Sequence, residues 1–254
     1  MLKKRLIPLQ LLLDGRLVKT RAFKDWRDVG DPVKSAGVYN SQNADELIFL
    51  NIAREESTIE TLRSVIEAVS RVCFMPIAIG GGIASVANAA ELIRTGADKV
   101  VMNSVTYEQP GIIAETAAIF GAQAVIVGID VRWDDNARTY RLYSDCGQRE
   151  QPVSLEHHVA AVIAAGAGEI MIQSIDRDGT MSGYDIELVR RVMKVSTIPV
   201  IAAGGSGNYA HLRDVFLTTD VSAVACGSLF NFSDSNPIRA KAFLANHGLK
   251  FKVV

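Results

Sequence analysis

Two clusters of glycine follow short apolar segments in this sequence, and both have a composition suited to anion binding. They are Gly80-Gly81-Gly82 and Gly204-Gly205-Ser206-Gly207. Glycine lets the backbone approach a ligand closely and point successive N–H groups at it. A predicted helix begins after each cluster, and its N-terminus adds partial positive charge. The pair is suited to a substrate with two phosphate or phosphate-like groups, although these glycines can also serve only to form tight turns.

Polar residues near the ends of other predicted strands extend both anion sites. Strand ends at Asn103-Ser104 and Gly227-Ser228 add amide, hydroxyl and backbone donors. Lys19 stands in a glycine-containing loop, where it is either a mobile cation that closes over the substrate or a solvated lysine. The candidate substrate-binding residues are Lys19, Gly82, Asn103, Ser104, Asp178, Gly179, Gly205, Gly227 and Ser228.

Asp130 is the candidate catalytic residue because it ends a strand predicted over Ala124–Asp130. Catalytic groups of barrel enzymes lie at the C-terminal ends of strands. A carboxylate there serves as general acid or base if its pKa is suitably shifted. The alternative is an aspartate that only caps a helix or braces a loop.

Four charged residues of alternating sign begin four of the predicted strands: Arg5, Glu46, Lys99 and Glu169. In a barrel these strand starts converge at the bottom, so we expect a ring of salt bridges around the axis. The ring either plugs the barrel or gates a channel. In the second case we expect a polar conduit from the charged base to the mouth.

The elements that must position these residues alternate strictly between strand and helix. Predicted strands are Arg5–Leu11, Glu46–Asn51, Met75–Ile79, Lys99–Met102, Ala124–Asp130, Glu169–Ser174, Pro199–Ala202 and Ala223–Cys226. Helical segments are predicted at 33–42, 58–72, 85–95, 109–120, 154–165, 185–195, 208–218 and 236–246. Predicted helix caps are Ser85, Ser154, Asn208 and a capping box at Ser57-Thr58-Ile59-Glu60. This alternation indicates a parallel sheet.

The second half of the chain repeats the first at a shift of about 123 residues. PIAIGGG at 76–82 matches PVIAAGG at 199–205. We therefore predict an α/β fold in which residues 1–254 form a single (β/α)8 TIM barrel made of two duplicated half-barrels. A doubly wound open sheet would not explain halves that match strand for strand. An insertion at 132–151 is predicted to be a β-hairpin on the C-terminal face, beside the active site.

The duplication also predicts a second acid at the end of the first strand, opposite Asp130. The sequence has Leu11 there, within Leu11-Leu12-Leu13. Leucine neither donates nor accepts a proton. One half of the acid/base pair that the symmetry implies is therefore absent.

Composition excludes several classes of function. A net charge of -1 with 22% charged residues favours neither nucleic acid nor an anionic membrane. No apolar run is long enough for a membrane span, and the start of the chain is too interrupted for a signal peptide. Three cysteines without a CxxC motif indicate the reduced cytoplasm, with Cys73 and Cys226 buried. The four histidines share no ligand-like spacing, so we expect surface histidines, no metal site and no cofactor.

Across nearly its whole length, the chain resembles the cyclase subunit of imidazole glycerol phosphate synthase, the HisF family. The resemblance rests on MLKKRLIP, DGRLVK, GDPV, ADELIFL, GGGI, GADKV, SIDRDGT, SGYD and NHG. It implies a HisH-like glutaminase docked on the N-terminal face, ammonia passing through a gate formed by Arg5, Glu46, Lys99 and Glu169, and acid/base catalysis by Asp130. It also implies that Lys19 is the mobile-loop lysine and that the candidate substrate-binding residues hold phosphate.

Departures from the family pattern point to a particular subgroup of the family. Leu11 stands where the family has its other catalytic aspartate, and Phe49-Leu50-Asn51 stands where it has FLD. The segment LLLDGRLVKT is similar to that of glycosyl-amidation-associated paralogues, which accompany a glutaminase and a sugar amidotransferase in surface-polysaccharide loci. This resemblance implies delivery of ammonia to a phosphorylated or nucleotide-activated sugar, with cyclase activity reduced.

Three functions therefore remain open at this stage. The first is the ammonia-channelling subunit of a sugar-amidating complex in lipopolysaccharide biosynthesis. The second is an authentic cyclase/lyase of histidine biosynthesis. The third is a non-catalytic barrel that binds a phosphorylated metabolite or scaffolds partners.

Overall fold

Eight parallel strands close into a barrel in the computed structural model, which describes residues 3–53 and 58–252. The strands are β1 (Arg5–Leu13), β2 (Arg16–Arg21), β3 (Lys24–Gly30), β4 (Leu47–Asn51), β5 (Ile77–Gly80), β6 (Lys99–Met102), β7 (Val125–Asp134), β8 (Thr139–Ser144), β9 (Arg149–Gln151), β10 (Glu169–Ser174), β11 (Val200–Ala203) and β12 (Ala223–Cys226). The barrel order is β1-β4-β5-β6-β7-β10-β11-β12, and pairing of β12 with β1 closes it. The predicted (β/α)8 barrel is confirmed.

Helices surround this barrel. They are α1 (Pro32–Ser41), α2 (Thr58–Val69), α3 (Val86–Thr95), α4 (Ser104–Glu108), α5 (Gly111–Phe120), α6 (Leu155–Ala164), α7 (Ile186–Val195), α8 (Tyr209–Thr219), α9 (Ser228–Phe232) and α10 (Pro237–Ala245). The eight longer helices coincide with the predicted ones, whereas the one-turn helices α4 and α9 were not predicted. Within the described ranges, no helix has the length and apolar character needed to span a membrane.

The barrel strands are buried on both faces, which explains their nearly continuous apolar sequence. An outer core lies between the strands and the helices, and a separate inner core fills the barrel. The inner core comprises Ile7, Leu9, Ile48, Ala78, Val101, Ile126, Met171, Ile201, Ala203, Ala223 and Ala225. The predicted polar conduit is therefore wrong for this part of the axis, because strand alternation directs apolar side chains inward.

Side-chain caps fix where the helices begin. The side-chain oxygens of Ser85, Ser154 and Asn208 accept hydrogen bonds from backbone N–H groups in the first turns of α3, α6 and α8. These three predicted caps are confirmed. The predicted capping box begins at Ser57, which lies outside the described residues.

A three-stranded antiparallel extension follows β7. Strand β8 pairs back onto β7, with Trp133 opposite Tyr140, and β9 then pairs with β8. The predicted hairpin at 132–151 is confirmed, and β9 adds a strand that was not predicted.

A similar hairpin, β2–β3, follows β1, and it corrects the prediction that Lys19 lies in a loop. Strand β2 pairs with the end of β1 across a turn at Asp14-Gly15, where both residues have positive φ, 50° and 73°. An Asp-Gly turn between apolar residues favours a two-residue hairpin. This Asp-Gly signal was present in the sequence. The strand that follows it, β2, has the buried side chains of Leu17 and Val18.

The strand register gives the two halves equivalent positions. Leu11 pairs with Leu50 on β1 and β4, and Asp130 pairs with Gln173 on β7 and β10. Leu50 and Gln173 are separated by the same shift of about 123 residues that aligns the sequence halves. Leu11 therefore occupies the position in the first half that Asp130 occupies in the second.

Candidate functional site

A cavity opens at the C-terminal mouth of the barrel, beneath the β2–β3 hairpin. It unites six of the predicted substrate-binding residues with five others. Its lining is Leu9, Leu11, Lys19, Asp178, Gly179, Gly204, Gly205, Ser206, Ala225, Gly227 and Ser228. Backbone N–H groups, a hydroxyl and an amine can therefore meet one anionic group in this cavity.

Lys19 supplies the cation of the cavity, but it is neither loop-borne nor solvated. Its side chain is buried, and its Nζ donates a hydrogen bond to the carbonyl oxygen of Leu9. A Cβ at Gly227 would lie 3.1 Å from this Nζ, so glycine leaves the amine room beside the end of β12. Burial lowers the pKa of Lys19 to about 8, although the carboxylate of Asp178 acts in the opposite direction.

Asp178 fastens the hairpin over the cavity. Its Oδ2 accepts hydrogen bonds from Thr20 Oγ1 at 2.7 Å and from the N–H of Phe23 at 3.3 Å. Its carbonyl oxygen accepts a further bond from the N–H of Ala22 at 2.9 Å. A Cβ at Gly179 would lie 2.1 Å from the carbonyl oxygen of Thr20, so glycine permits this close approach.

The first glycine cluster and its neighbours lie apart from this cavity. A Cβ at Gly82 would lie 2.5 Å from Thr58 Cγ2, so this glycine is needed for local packing. Ser104 Oγ accepts a hydrogen bond from the N–H of Asp145 at 3.0 Å, and Asn103 contacts Asp130. The structure therefore brings the predicted residues of the second anion site together around one cavity. The residues of the first site, Gly82, Asn103 and Ser104, contact other protein groups and do not line that cavity.

Asp130 is buried at the mouth, on the strand that pairs with β10. Its Oδ2 accepts a 2.7 Å hydrogen bond from Asn103 Nδ2. The pKa of Asp130 is raised to about 7, chiefly by burial and also by the nearby carboxylate of Asp178, while the hydrogen bond from Asn103 acts in the opposite direction. A carboxyl that titrates near neutral pH is suited to proton transfer. Leu11, at the equivalent position of the other half, lines the cavity with an apolar side chain.

The four charged strand starts form a closed ring across the opposite end of the barrel. Arg5 bonds Glu46 at 2.8 Å and Glu169 at 2.7 Å. Lys99 bonds the same two carboxylates at 3.0 Å and 2.7 Å. The predicted salt-bridged ring is therefore present, and it lies directly beneath the apolar inner core.

The two carboxylates of the ring differ in their electrostatic environment. Burial raises the pKa of Glu46, although Lys99 and Arg5 oppose it, and its Oε1 is buried without a hydrogen-bond partner in the described chain. Burial acts in the same direction on Glu169, but the bonds from Arg5 and Lys99 outweigh it and lower the pKa of this residue. The ring therefore satisfies the hydrogen-bonding capacity of the Glu46 carboxylate less completely than that of Glu169.

Replacing Lys99 with methionine is expected to destabilise the fold by about 3 kcal/mol or more, because it leaves two buried carboxylates sharing Arg5. Chemical denaturation measures the change. The matched control is Arg16→Met, which breaks an ion pair with Asp28 that is about half exposed and should leave the midpoint nearly unchanged. Equal midpoints for Lys99→Met and the wild type would contradict a stabilising role for the ring.

Two buried polar side chains were missed by the sequence analysis. Gln173, the last residue but one of β10, pairs with Asp130 in the strand register and is buried. Its position two residues beyond Met171 was the available signal, since alternate residues of a strand share a face. His158 is also buried, stacked on Tyr107 with ring centroids 4.1 Å apart, so the prediction of surface histidines is wrong for this residue. Burial of Cys73 and Cys226 is confirmed.

Comparison with known proteins agrees with this architecture over nearly the whole chain. The family described as histidine biosynthesis protein matches residues 5–236. The imidazole glycerol phosphate synthase subunit HisF of Lactiplantibacillus plantarum is 41% identical over 249 residues, covering 98% of this chain and 99% of the relative. The subunits HisF of Staphylococcus carnosus and Leuconostoc mesenteroides are 38% and 37% identical, over 98% and 99% of this chain and 98% and 99% of the relatives. The chain therefore belongs to the histidine biosynthesis protein family, as a homologue of the HisF subunits of imidazole glycerol phosphate synthase.

Proposed function

We propose that the chain is the synthase subunit of a glutamine-dependent complex, which receives ammonia at the charged ring and combines it with a phosphorylated acceptor at the mouth. The observation that carries this proposal is the arrangement along one axis. A closed ring of Arg5, Glu46, Lys99 and Glu169 lies at one end, and the cavity with Lys19 lies at the other.

The acceptor that the relatives favour is the substrate of imidazole glycerol phosphate synthase, since the matched proteins are subunits of that enzyme. The cavity is suited to one phosphate of such a substrate, and Gly82, Asn103 and Ser104 are assigned to the other. Asp130 is assigned to proton transfer. A buried carboxyl with a pKa near neutrality supports that role.

A second candidate acceptor is an activated sugar, as in the amidation-associated paralogues. Leu11 is the observation that favours it, because the strand register places this apolar residue at the position equivalent to Asp130. Without a second acid/base group, ring closure is expected to be slow, whereas delivery of ammonia does not require one. A sugar amidotransferase is then the further partner.

The expected partner in both cases is a HisH-like glutaminase on the N-terminal face of the barrel. Phe74 supports this location. It lies between α2 and β5, on the same face as the charged ring, and 86% of its surface is exposed. Large exposed aromatic side chains are enriched in protein interfaces.

Mixing the chain with its cognate glutaminase is expected to give a stable complex and faster glutamine hydrolysis. Phe74→Ser should weaken the complex by about 10-fold or more, as truncation of a buried aromatic anchor does. Ile238→Ser is the matched control, because this exposed residue lies in the first turn of α10, near the mouth. Absence of both a complex and stimulation would refute the proposal for either acceptor.

A further inference from the structure

A histidine of α8 contacts both loops that line the cavity containing Lys19. His211 lies in the first turn of α8, directly after the second glycine cluster. Its ring nitrogen Nδ1 accepts a hydrogen bond from the N–H of Gly207 at 3.2 Å. A Cβ at Gly183 would lie 3.6 Å from Cδ2 of the same ring. His211 therefore joins the loop after β10 to the loop after β11, although it does not itself line the cavity.

The same two loops also lie against each other, backbone to backbone. The N–H of Gly183 donates a hydrogen bond to the carbonyl oxygen of Gly205 at 2.8 Å. A Cβ at Gly205 would lie 2.1 Å from the carbonyl oxygen of Gly183, and a Cβ at Gly207 would lie 2.1 Å from that of Met181. Both loops contribute residues to the cavity lining. The shape of the cavity therefore depends on how these glycines are held.

The neutral ring of His211, with its lone pair on Nδ1, is the form that accepts the bond from Gly207. A neutral imidazole has one acceptor nitrogen. Asn208 Nδ2 lies 3.2 Å from the other ring nitrogen, Nε2, and competes for this single lone pair. Asn208 is exposed, so its amide can bond to water, whereas the N–H of Gly207 has no other acceptor in the part of the chain that the structure describes. The lone pair therefore belongs on Nδ1 and the proton on Nε2.

We propose that His211 is a positioning residue, which holds the second glycine cluster in the conformation that binds a phosphate group. This inference rests on the proposed function, in which the cavity takes one phosphate of the acceptor. Glycine loses more conformational freedom on ordering than any other residue, so a glycine-rich segment binds an anion more tightly when it is already fixed. The bond to Gly207 supplies that constraint, and Gly205 and Ser206, which line the cavity, are held with it.

The alternative is that His211 serves only to begin α8. Asn208 Oδ1 accepts a hydrogen bond from the N–H of His211 at 3.0 Å. A first-turn side chain that reaches back to a preceding backbone N–H resembles one half of a capping box. In that case the loss of the imidazole lowers the stability of the fold without changing the affinity for phosphate. Binding and stability are therefore measured separately.

Two variants of the full chain separate the acceptor atom from the ring. His211→Phe keeps an aromatic ring beside Gly183 but has no acceptor for Gly207. His211→Asn loses the ring but can place an amide oxygen near the position of Nδ1. Inorganic phosphate is the probe, and the backbone amide signal of Ser206 reports its binding by nuclear magnetic resonance. His247→Phe is the matched control, because this exposed histidine follows α10 and does not line the cavity.

Phosphate is expected to bind about 10-fold more weakly to His211→Phe than to the wild type, which is the effect of losing one hydrogen bond that orders the site. His211→Asn should recover most of the affinity, and His247→Phe should bind as the wild type does. Wild-type affinity in His211→Phe, or an equal loss in both His211 variants, would overturn the positioning role. A lower midpoint of thermal unfolding with unchanged affinity would assign His211 to the start of α8 alone.

The wild-type protein allows a test that does not depend on the folding of either variant. The ring nitrogen signals of His211 distinguish the two neutral tautomers, and an unprotonated Nδ1 is expected. A protonated Nδ1 would overturn the inference, as would a Ser206 signal that does not respond to phosphate. A failed glutaminase complex together with the expected phosphate results would instead refute the proposed function and leave the positioning role intact.

Discussion

Asp130→Asn is expected to lower ammonium-dependent turnover by about 10^2–10^4-fold, the usual loss when an acid/base group is removed. Asparagine keeps the size of the side chain but cannot take up or release the proton. Formation of imidazole glycerol phosphate with an ammonium salt measures the loss. Undiminished glutaminase binding would verify that the variant is folded. Unchanged output would favour the third function, a barrel that only binds a metabolite or scaffolds its partners.

The pH dependence of the same reaction identifies the form of Asp130 that acts. Its pKa is raised to about 7 by burial and by Asp178, so the carboxylate predominates only above that pH. With Asp130 as the base, and with the concentration of free ammonia held constant across the pH range, wild-type turnover should rise with pH to a plateau above about 7. The residual activity of Asp130→Asn should lack this rise. A wild-type rate that falls through the same range would assign the role of acid instead.

Stability provides an independent check on the environment of Asp130. The folded-state pKa lies above the unfolded value of 3.8, so the folded state is progressively destabilised as pH rises between 3.8 and about 7. Asp130→Asn removes this contribution. We expect the variant to gain stability relative to the wild type over that range, up to an upper limit of about 4 kcal/mol above pH 7. Thermal unfolding of both proteins measures this difference in stability. A difference between variant and wild type that is the same at low and at neutral pH would contradict the raised pKa.

Leu11→Asp is expected to increase imidazole glycerol phosphate formation by about 10^2-fold or more, because it restores a second acid/base group at the equivalent strand end. Leu11 is buried beside the cavity, so its replacement is also expected to destabilise the fold. The assay uses an ammonium salt, so that it does not depend on a partner.

Leu11→Asn is the matched control for that gain. It has a polar side chain of similar size but no titratable group, and it should leave the rate at the wild-type level. A wild-type rate that already equals that of the Lactiplantibacillus plantarum relative would show that position 11 needs no acid. It would also remove the observation that favours sugar amidation.

The sequence by itself determined the barrel and its duplication. Strict strand–helix alternation and nearly continuous apolar strands are local patterns that follow from burial on both faces of a parallel sheet. The partners of the charged ring were also predictable. Residues that begin parallel strands necessarily meet at one end of a closed barrel, as Arg5 and Glu169 do.

Tertiary structure decided the environment of each group in the site. Lys19 was predictable as a cation near the mouth, but its burial depends on the β2–β3 hairpin that Asp178 fastens over it. The missing partner of Glu46 Oε1 among the described residues depends on a ring whose members come from several strands. The burial and hydrogen bonding of a side chain depend on residues that are distant in the chain. A single sequence therefore indicates which residues could form the site, but not their pKa values or which of their polar atoms lack a partner.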